Sequence, residues 1–294
     1  MVDQVLHAVK AEIGYLKDSP LYEREKPFSA GINFAAMVPG ARNSNISSDR
    51  HEMDIEDVRG REMQLTFEKD GCRIIRHSSM VPDLLDVDSI ESHYLKECEE
   101  LVIREMKADF VYIFNWLIRK RERAPGDTWD VVDRVARIAH KDNTQTSAYA
   151  RLQKHLPAKA AELKQTMRYQ IINIWRPLNE VVEDCPLAFC HPESTNELDE
   201  VPGDVVKRDY IGEVYYMKHR AESKPRWFYL SRQTKDEVWL FKSFDSHPGA
   251  RETKGLFHCA FIDPEKPPNF TPRTSIEVRA MVFHNLENVE KVVS

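Results

Sequence analysis

RTSIEVRAMVFH, residues 273 to 284, alternates with a period of two: Arg273, Ser275, Glu277 and Arg279 fall on one face, and Ile276, Val278 and Ala280 on the other. Side chains two apart share a face of a strand. The run therefore predicts a strand with one side for packing and one side carrying an arginine, a hydroxyl, a carboxylate and a second arginine. A polar face turned into a barrel is costly unless it binds something. A guanidinium suits a carboxylate, because its planar fork donates two parallel hydrogen bonds, and Ser275 can add a third.

Five runs upstream share its enrichment in β-branched and aromatic residues: 169–178 (YQIINIWRPL), 212–219, 226–233, 237–246 and 255–263 (GLFHCAFID). Such spacing predicts a sandwich or barrel in the C-terminal half, with helices packed outside. Residues 109–120 and 129–142 read as further buried strands, 90–106 as a helix, and 146–166 as short helices broken near Pro157. Apolar residues at helical spacing predict an amphipathic helix over 4–17, and the Asp-Gly pair at 70–71 predicts a β-hairpin over 61–79. No repeat or linker divides the chain, so one domain over 1–294 is expected. Within it, the helix and the irregular stretch up to residue 55 form a lid or wrap, to which Arg42 and Asn43 belong.

A net charge of −6 supplies no excess of cations to displace counterions from phosphates, which argues against nucleic acid. The longest apolar run, 111–118, is far shorter than the roughly 18 residues a bilayer span needs. The N-terminus has no signal-peptide core, and the five scattered cysteines have no CxxC spacing. A cytoplasmic protein with free thiols is expected, acting on a small molecule without membrane or nucleic-acid partners; the oligomeric state is left open, a homodimer included. The aromatic residues Trp227, Phe228, Tyr229 and Trp239 read as core.

Chemistry concentrates in two places. His140 and Asp142, with Lys141 between them, share one face at a strand end, while Lys141 should point outward into solvent. His258 lies in another half-buried strand. Each has an ordinary reading: solvated polar residues at a strand end, and a satisfied core histidine. Taken with the Arg273-x-Ser275 pair they fit one layout. Two histidines and a carboxylate on one side of an ion leave three positions open, as in non-haem iron(II) oxygenases, and a 2-oxo acid can fill two of these while its far carboxylate meets a basic residue. Asn173 and Arg176 interrupt an apolar strand and are further candidates for cosubstrate or substrate, with a structural alternative in which Arg176 pairs with an acid such as Asp184.

The segments RYQIINIWRPL, EDCPLAFC, RWFYLSRQTKDEVWLFKSFDS, HCAFIDP and PRTSIEVRAMVF, together with VRGREMQLTFEKDGCRII near the N-terminus, resemble the asaB-type hydroxylase/desaturase family of iron(II)/2-oxoglutarate-dependent oxygenases, which includes gibberellin desaturase and relatives of the cephamycin methoxylation protein. The resemblance covers the chain from about residue 20 onward. It implies a mainly β fold with flanking α, a double-stranded β-helix (jelly roll, cupin-like) core with helices packed outside. It implies Fe(II) held by His140, Asp142 and His258, with 2-oxoglutarate as cosubstrate and O2 as oxidant. The anchor for 2-oxoglutarate is Arg273 with Ser275, with Arg279 on the same face as the alternative or as a substrate contact. The activity implied is oxidation of a small molecule of fungal secondary metabolism by hydroxylation, desaturation or oxidative cyclisation. Asn115-Trp116 departs from the family, whose members often carry a histidine there, and this bears on the substrate. The other classes weighed are a non-redox barrel binding a small ligand and a zinc hydrolase, in which Arg273-x-Ser275 has no place.

Overall fold

The computed structural model describes residues 7–121, 132–220, 222–247 and 254–286. In chain order the strands are β1 (Ala8–Leu16), β2 (Phe28–Ala30), β3 (Ser48–Asp57), β4 (Cys72–Arg76), β5 (Phe110–Lys120), β6 (Val132–Arg134), β7 (His140–Lys141), β8 (Met167–Pro177), β9 (Leu187–Cys190), β10 (Glu200–Val206), β11 (Ile211–Met217), β12 (Trp227–Tyr229), β13 (Glu237–Asp245), β14 (His258–Ala260) and β15 (Thr274–Asn285). They form a six-stranded sheet ordered β4-β13-β8-β15-β5-β6 and a nine-stranded sheet ordered β1-β3-β12-β9-β14-β7-β11-β10-β2.

The six-stranded sheet is built around β8 and β15, which pair antiparallel over eleven rungs from Ser275–Pro177 to Asn285–Met167. The near-continuous apolar run of β8 follows from this central place, because both of its faces are covered. On the outer face Ile172, Ile174, Ile276 and Val278 pack against Tyr94, Cys98, Leu101 and Val102 of the helical stretch that ends at Met106. On the inner face Trp175, Trp239 and Phe241 meet Phe189, Phe228 and Leu256. Fully burying one such side chain is worth about 1.5–3 kcal/mol, so the sheet faces, rather than any single contact, hold the fold.

The nine-stranded sheet curls. Its edge strand β1 makes isolated bridges through Gly14 to Ile138 and through Leu16 to Lys218, so it lies across the chain on either side of β7 and β11. Gly14 is required at this crossing, since a Cβ there would stand 2.4 Å from the Arg137 carbonyl oxygen.

The strand expected over 129–142 is present only as β6 and the two-residue β7, residues 129–131 lying outside the described ones, and two further sequence expectations fail. Residues 8–16 are a strand, not part of a helix: Val9, Ala11, Ile13 and Tyr15 also alternate with period two, and nine rungs of pairing to β3 decide between the two periods. The hairpin over 61–79 does not form either. Gly71 has the expected positive φ of 70°, but β4 pairs with β13, and the residues before it make a 3-10 turn and a Thr66–Asp70 loop. The segment up to residue 55 contributes strands β1, β2 and most of β3; within it Arg42 bonds Glu25, and Asn43 bonds Ala35 and Asn33. The helices over Gln145–His155 and Ala160–Thr166 fall where expected, on either side of Pro157.

Candidate active site

His140 and His258 are direct cross-strand partners, on β7 and β14 in the middle of the nine-stranded sheet. Both are nearly buried, with ring centroids 4.4 Å apart. Each turns Nδ1 onto the carbonyl two residues earlier in the chain: His140 onto Ile138 at 2.8 Å, His258 onto Leu256 at 3.0 Å. A carbonyl can only accept, so Nδ1 carries the proton and Nε2 presents its lone pair, the arrangement that orients imidazoles toward a metal. Asp142 follows β7 directly, and Thr144 caps the next helix by accepting from the Ser147 amide, which pins the chain just beyond the carboxylate. His140 Nε2 lies 3.4 Å from Asp142 Oδ1, and donor atoms of His140, Asp142 and His258 all fall within 4.8 Å of one another.

The protonation states suit a cation. Burial pushes the His258 imidazole down to about 4, and the His140 ring adds to that. Burial works against the charged form of Asp142, but Arg279 and the two imidazoles outweigh it and hold the carboxyl well below the usual range. At neutral pH Asp142 is therefore a carboxylate and His258 a neutral imidazole, the states that metal binding requires.

Between this trio and β15 lies a small cavity lined by His140, His258, Trp175, Arg119, Arg273 and Glu277, among others. Arg273 is 1% exposed; its Nη1 donates to the Cys185 carbonyl at 2.6 Å, its guanidinium lies 5.3 Å from the Trp175 ring, and its Nε has no partner among the described residues. Ser275, on the same face and fully buried, has no partner for Oγ among the described residues. Two unpaired buried donors cost free energy unless a ligand accepts from them. A dicarboxylic 2-oxo acid fits this need, with one end toward the trio and the other toward Arg273 and Ser275.

The remaining candidates are placed differently. Arg279 donates through Nη1 to Asn115 Oδ1 at 2.8 Å, pairs with Glu277, and brings Nε to 3.7 Å from Asp142 Oδ2. Asn173 also serves Asp142, its Nδ2 donating to Oδ2 at 2.5 Å. Arg176 is corrected: three residues from Asn173 on an extended strand, it faces the other way. Its guanidinium donates to Tyr94 Oη and to the carbonyls of His77 and Lys235, and also contacts His77 Nδ1, on the helix-covered side away from the cavity. Asp184 pairs instead with Arg121. Lys141 does point away from the trio, yet it is buried, bonded to Glu200 at 2.6 Å and set over Phe257, because the curled sheet covers that face. Arg119 on β5 is the residue the sequence reading missed: it stands opposite Ser275, as Asn115, two pleats along the same face, stands opposite Arg279.

This fold and this donor set define the iron(II)/2-oxoglutarate-dependent oxygenases. A family profile described as an oxidoreductase/YMDC permease-like domain matches residues 13–283, and the chain belongs to that family. It is 29% identical over 264 residues to the Fe(II)/2-oxoglutarate-dependent dioxygenase nvfI of Aspergillus novofumigatus, covering 83% of this chain and 87% of the relative. It is 30% identical over 251 residues to the hydroxylase/desaturase efuI of Hormonema carpetanum, covering 78% and 82%. A solved structure titled iron and alpha-ketoglutarate-dependent endoperoxidase NvfI superimposes with a TM-score of 0.81 at 25% identity over 95% of this chain and 98% of that one. The expected mainly β jelly-roll architecture and the hydroxylase/desaturase resemblance are thus borne out: the chain is an oxidoreductase of this class, using Fe(II), 2-oxoglutarate and O2.

Proposed function

We propose that His140, Asp142 and His258 hold the iron, that Arg273 and Ser275 receive the far carboxylate of 2-oxoglutarate, and that the enzyme oxidises a C–H bond of a small molecule of fungal secondary metabolism. The observation that carries the assignment is a three-donor cluster whose two imidazoles share a cavity with Arg273, with a buried Arg273 Nε and, next on the same strand face, a buried Ser275 Oγ that find no partner among the described residues. Iron held by His140, Asp142 and His258 would supply, with dioxygen and the oxidative decarboxylation of 2-oxoglutarate to succinate and carbon dioxide, the oxidising power needed to break a substrate C–H bond.

The chain's own residues supply position and dryness. The carbonyls of Ile138 and Leu256 fix the tautomers of the two imidazoles. Arg273 and Ser275 orient the dicarboxylate by its distal end, while Trp175 and Leu187 wall the cavity against water. The substrate class rests on the relatives, which come from fungi and carry the names dioxygenase and hydroxylase/desaturase, and on the solved structure titled an endoperoxidase. Hydroxylation, desaturation and ring closure share the same first abstraction and differ in how the substrate is held afterwards.

The test combines anaerobic protein, Fe(II) and 2-oxoglutarate, then admits oxygen with a panel of fungal metabolites. Adding 2-oxoglutarate should raise a visible charge-transfer band, and a matched metabolite should release succinate. His140→Ala should abolish iron binding with the fold retained by circular dichroism. Full iron affinity in that variant would remove the metal assignment.

A further inference from the structure

Asp142 uses its two oxygens differently. Oδ1 faces the imidazoles, 3.4 Å from His140 Nε2, whereas Oδ2 accepts from Asn173 Nδ2 at 2.5 Å and lies 3.7 Å from Arg279 Nε. Both donors arrive from the opposite sheet. Arg279 stands directly across from Asn173 on β8 and from Asn115 on β5, so one rung of three adjacent strands reads Asn115-Arg279-Asn173. Phe114 of β5 is left unpaired where the register shifts between Arg279 and Ala280, and this irregularity sets Asn115 opposite Arg279. Asn115 and Glu277 then hold the guanidinium on either side. Asn173 is fully buried, and its Oδ1 has no partner among the described residues, so the amide is kept there at a cost for what its Nδ2 does.

Coordination arithmetic gives the row its purpose. A facial set of two histidines and one carboxylate oxygen leaves three of six positions, of which the 2-oxo acid takes two. A carboxylate can also chelate through both oxygens. If Asp142 did so with the cosubstrate in place, no position would remain for dioxygen. An oxygen already engaged by an amide and facing a guanidinium is a poor second ligand.

We infer that Asn173 and Arg279 are positioning residues that hold Asp142 to single-oxygen coordination and thereby keep the dioxygen position open. The inference rests on His140, Asp142 and His258 being the metal ligands. It gives Asn173, a candidate from the sequence for cosubstrate or substrate, a control on coordination number instead.

The experiment reads metal and gas binding without turnover. Cobalt(II) affinity and its visible d–d spectrum are measured for the parent, Asn173→Ala, Arg279→Met and His140→Ala. Nitric oxide, standing in for dioxygen, is then titrated into each anaerobic Fe(II)/2-oxoglutarate form and followed by paramagnetic resonance. Asn173→Ala should bind cobalt on the order of 10- to 100-fold more weakly, as loss of a partner behind a ligand typically does. It should also show a weaker d–d band, signalling a higher coordination number, and at least tenfold lower nitric oxide affinity. Arg279→Met should shift nitric oxide affinity in the same direction by a smaller factor, and it carries the test if Asn173→Ala does not fold. Parent-like cobalt spectra and nitric oxide affinity in the folded variants would overturn the inference while leaving the metal site intact. Cobalt binding by His140→Ala at parental strength would overturn the ligand assignment itself.

Discussion

Asn173 and Arg176 lie three residues apart on β8 and serve opposite sides of the six-stranded sheet: the first donates to Asp142 inside the barrel, the second to Tyr94 Oη beneath the covering helix. An odd spacing on a strand reverses the face. Polar residues inside one apolar run therefore need not share a task, and the guanidinium of Arg176 works as a clamp between β8, the His77 segment and Lys235.

Arg176→Leu should accordingly destabilise the protein by about 3 kcal/mol, because it strips a buried charged donor from the fully buried Tyr94 hydroxyl and from two main-chain carbonyls. Urea unfolding gives the loss. Affinity for 2-oxoglutarate should be unchanged, and a parallel drop in it would return Arg176 to the cofactor pocket.

Arg273→Leu should raise the 2-oxoglutarate concentration needed to develop the charge-transfer band by 100-fold or more. Ser275→Ala should raise it on the order of tenfold, in keeping with about 1.5–3 kcal/mol for a hydrogen bond to a charged group. Iron affinity should stay within a few-fold of the parent in both. An anaerobic titration checks this, and equal behaviour of Arg273→Leu and the parent would move the anchor elsewhere on β15.

Acid should weaken the metal-free fold through His258, whose imidazole is held down to about 4 from its ordinary 6.5 by burial and by His140. The unfolded chain takes up a proton as pH falls through about 6.5, and the native state resists until about 4. Stability is therefore full above that window and lost across it, by at most about 3 kcal/mol. Urea melts at pH 7 and 4.5 measure the slope. His258→Gln should flatten it, and an undiminished slope in that variant would assign the effect to other groups.

Gly14→Ala should cost at least about 2 kcal/mol, since the added methyl meets the Arg137 carbonyl at 2.4 Å and β1 must shift. Ala139, immediately before the first imidazole, donates its amide to the Gly14 carbonyl at 2.8 Å. Weaker cobalt binding should therefore accompany the stability loss. Cobalt affinity unaffected by the substitution would show that β1 does not brace β7.

The sequence made β15 and its polar face legible because period two is unambiguous over a long run, and the same logic exposed His140, Asp142 and His258. It failed at residues 8–16, where the apolar positions satisfy two periods and only pairing with β3 chooses between them. Short strands such as β9, with four residues, carry too little pattern to be seen alone. Asn173 was singled out as a polar interruption, but its partner lies 31 residues away across the barrel, and only the fold shows which oxygen it serves.

The protons on the two imidazoles are assigned by Ile138 and Leu256 through their main chain alone, so any residue able to extend as a strand at those two positions gives the same tautomers. Drift in the surrounding side chains can thus reshape what enters the pocket without rewiring the donors. In a lineage that diversifies its substrates, the fixed and the variable parts of the catalyst are carried by different kinds of atom.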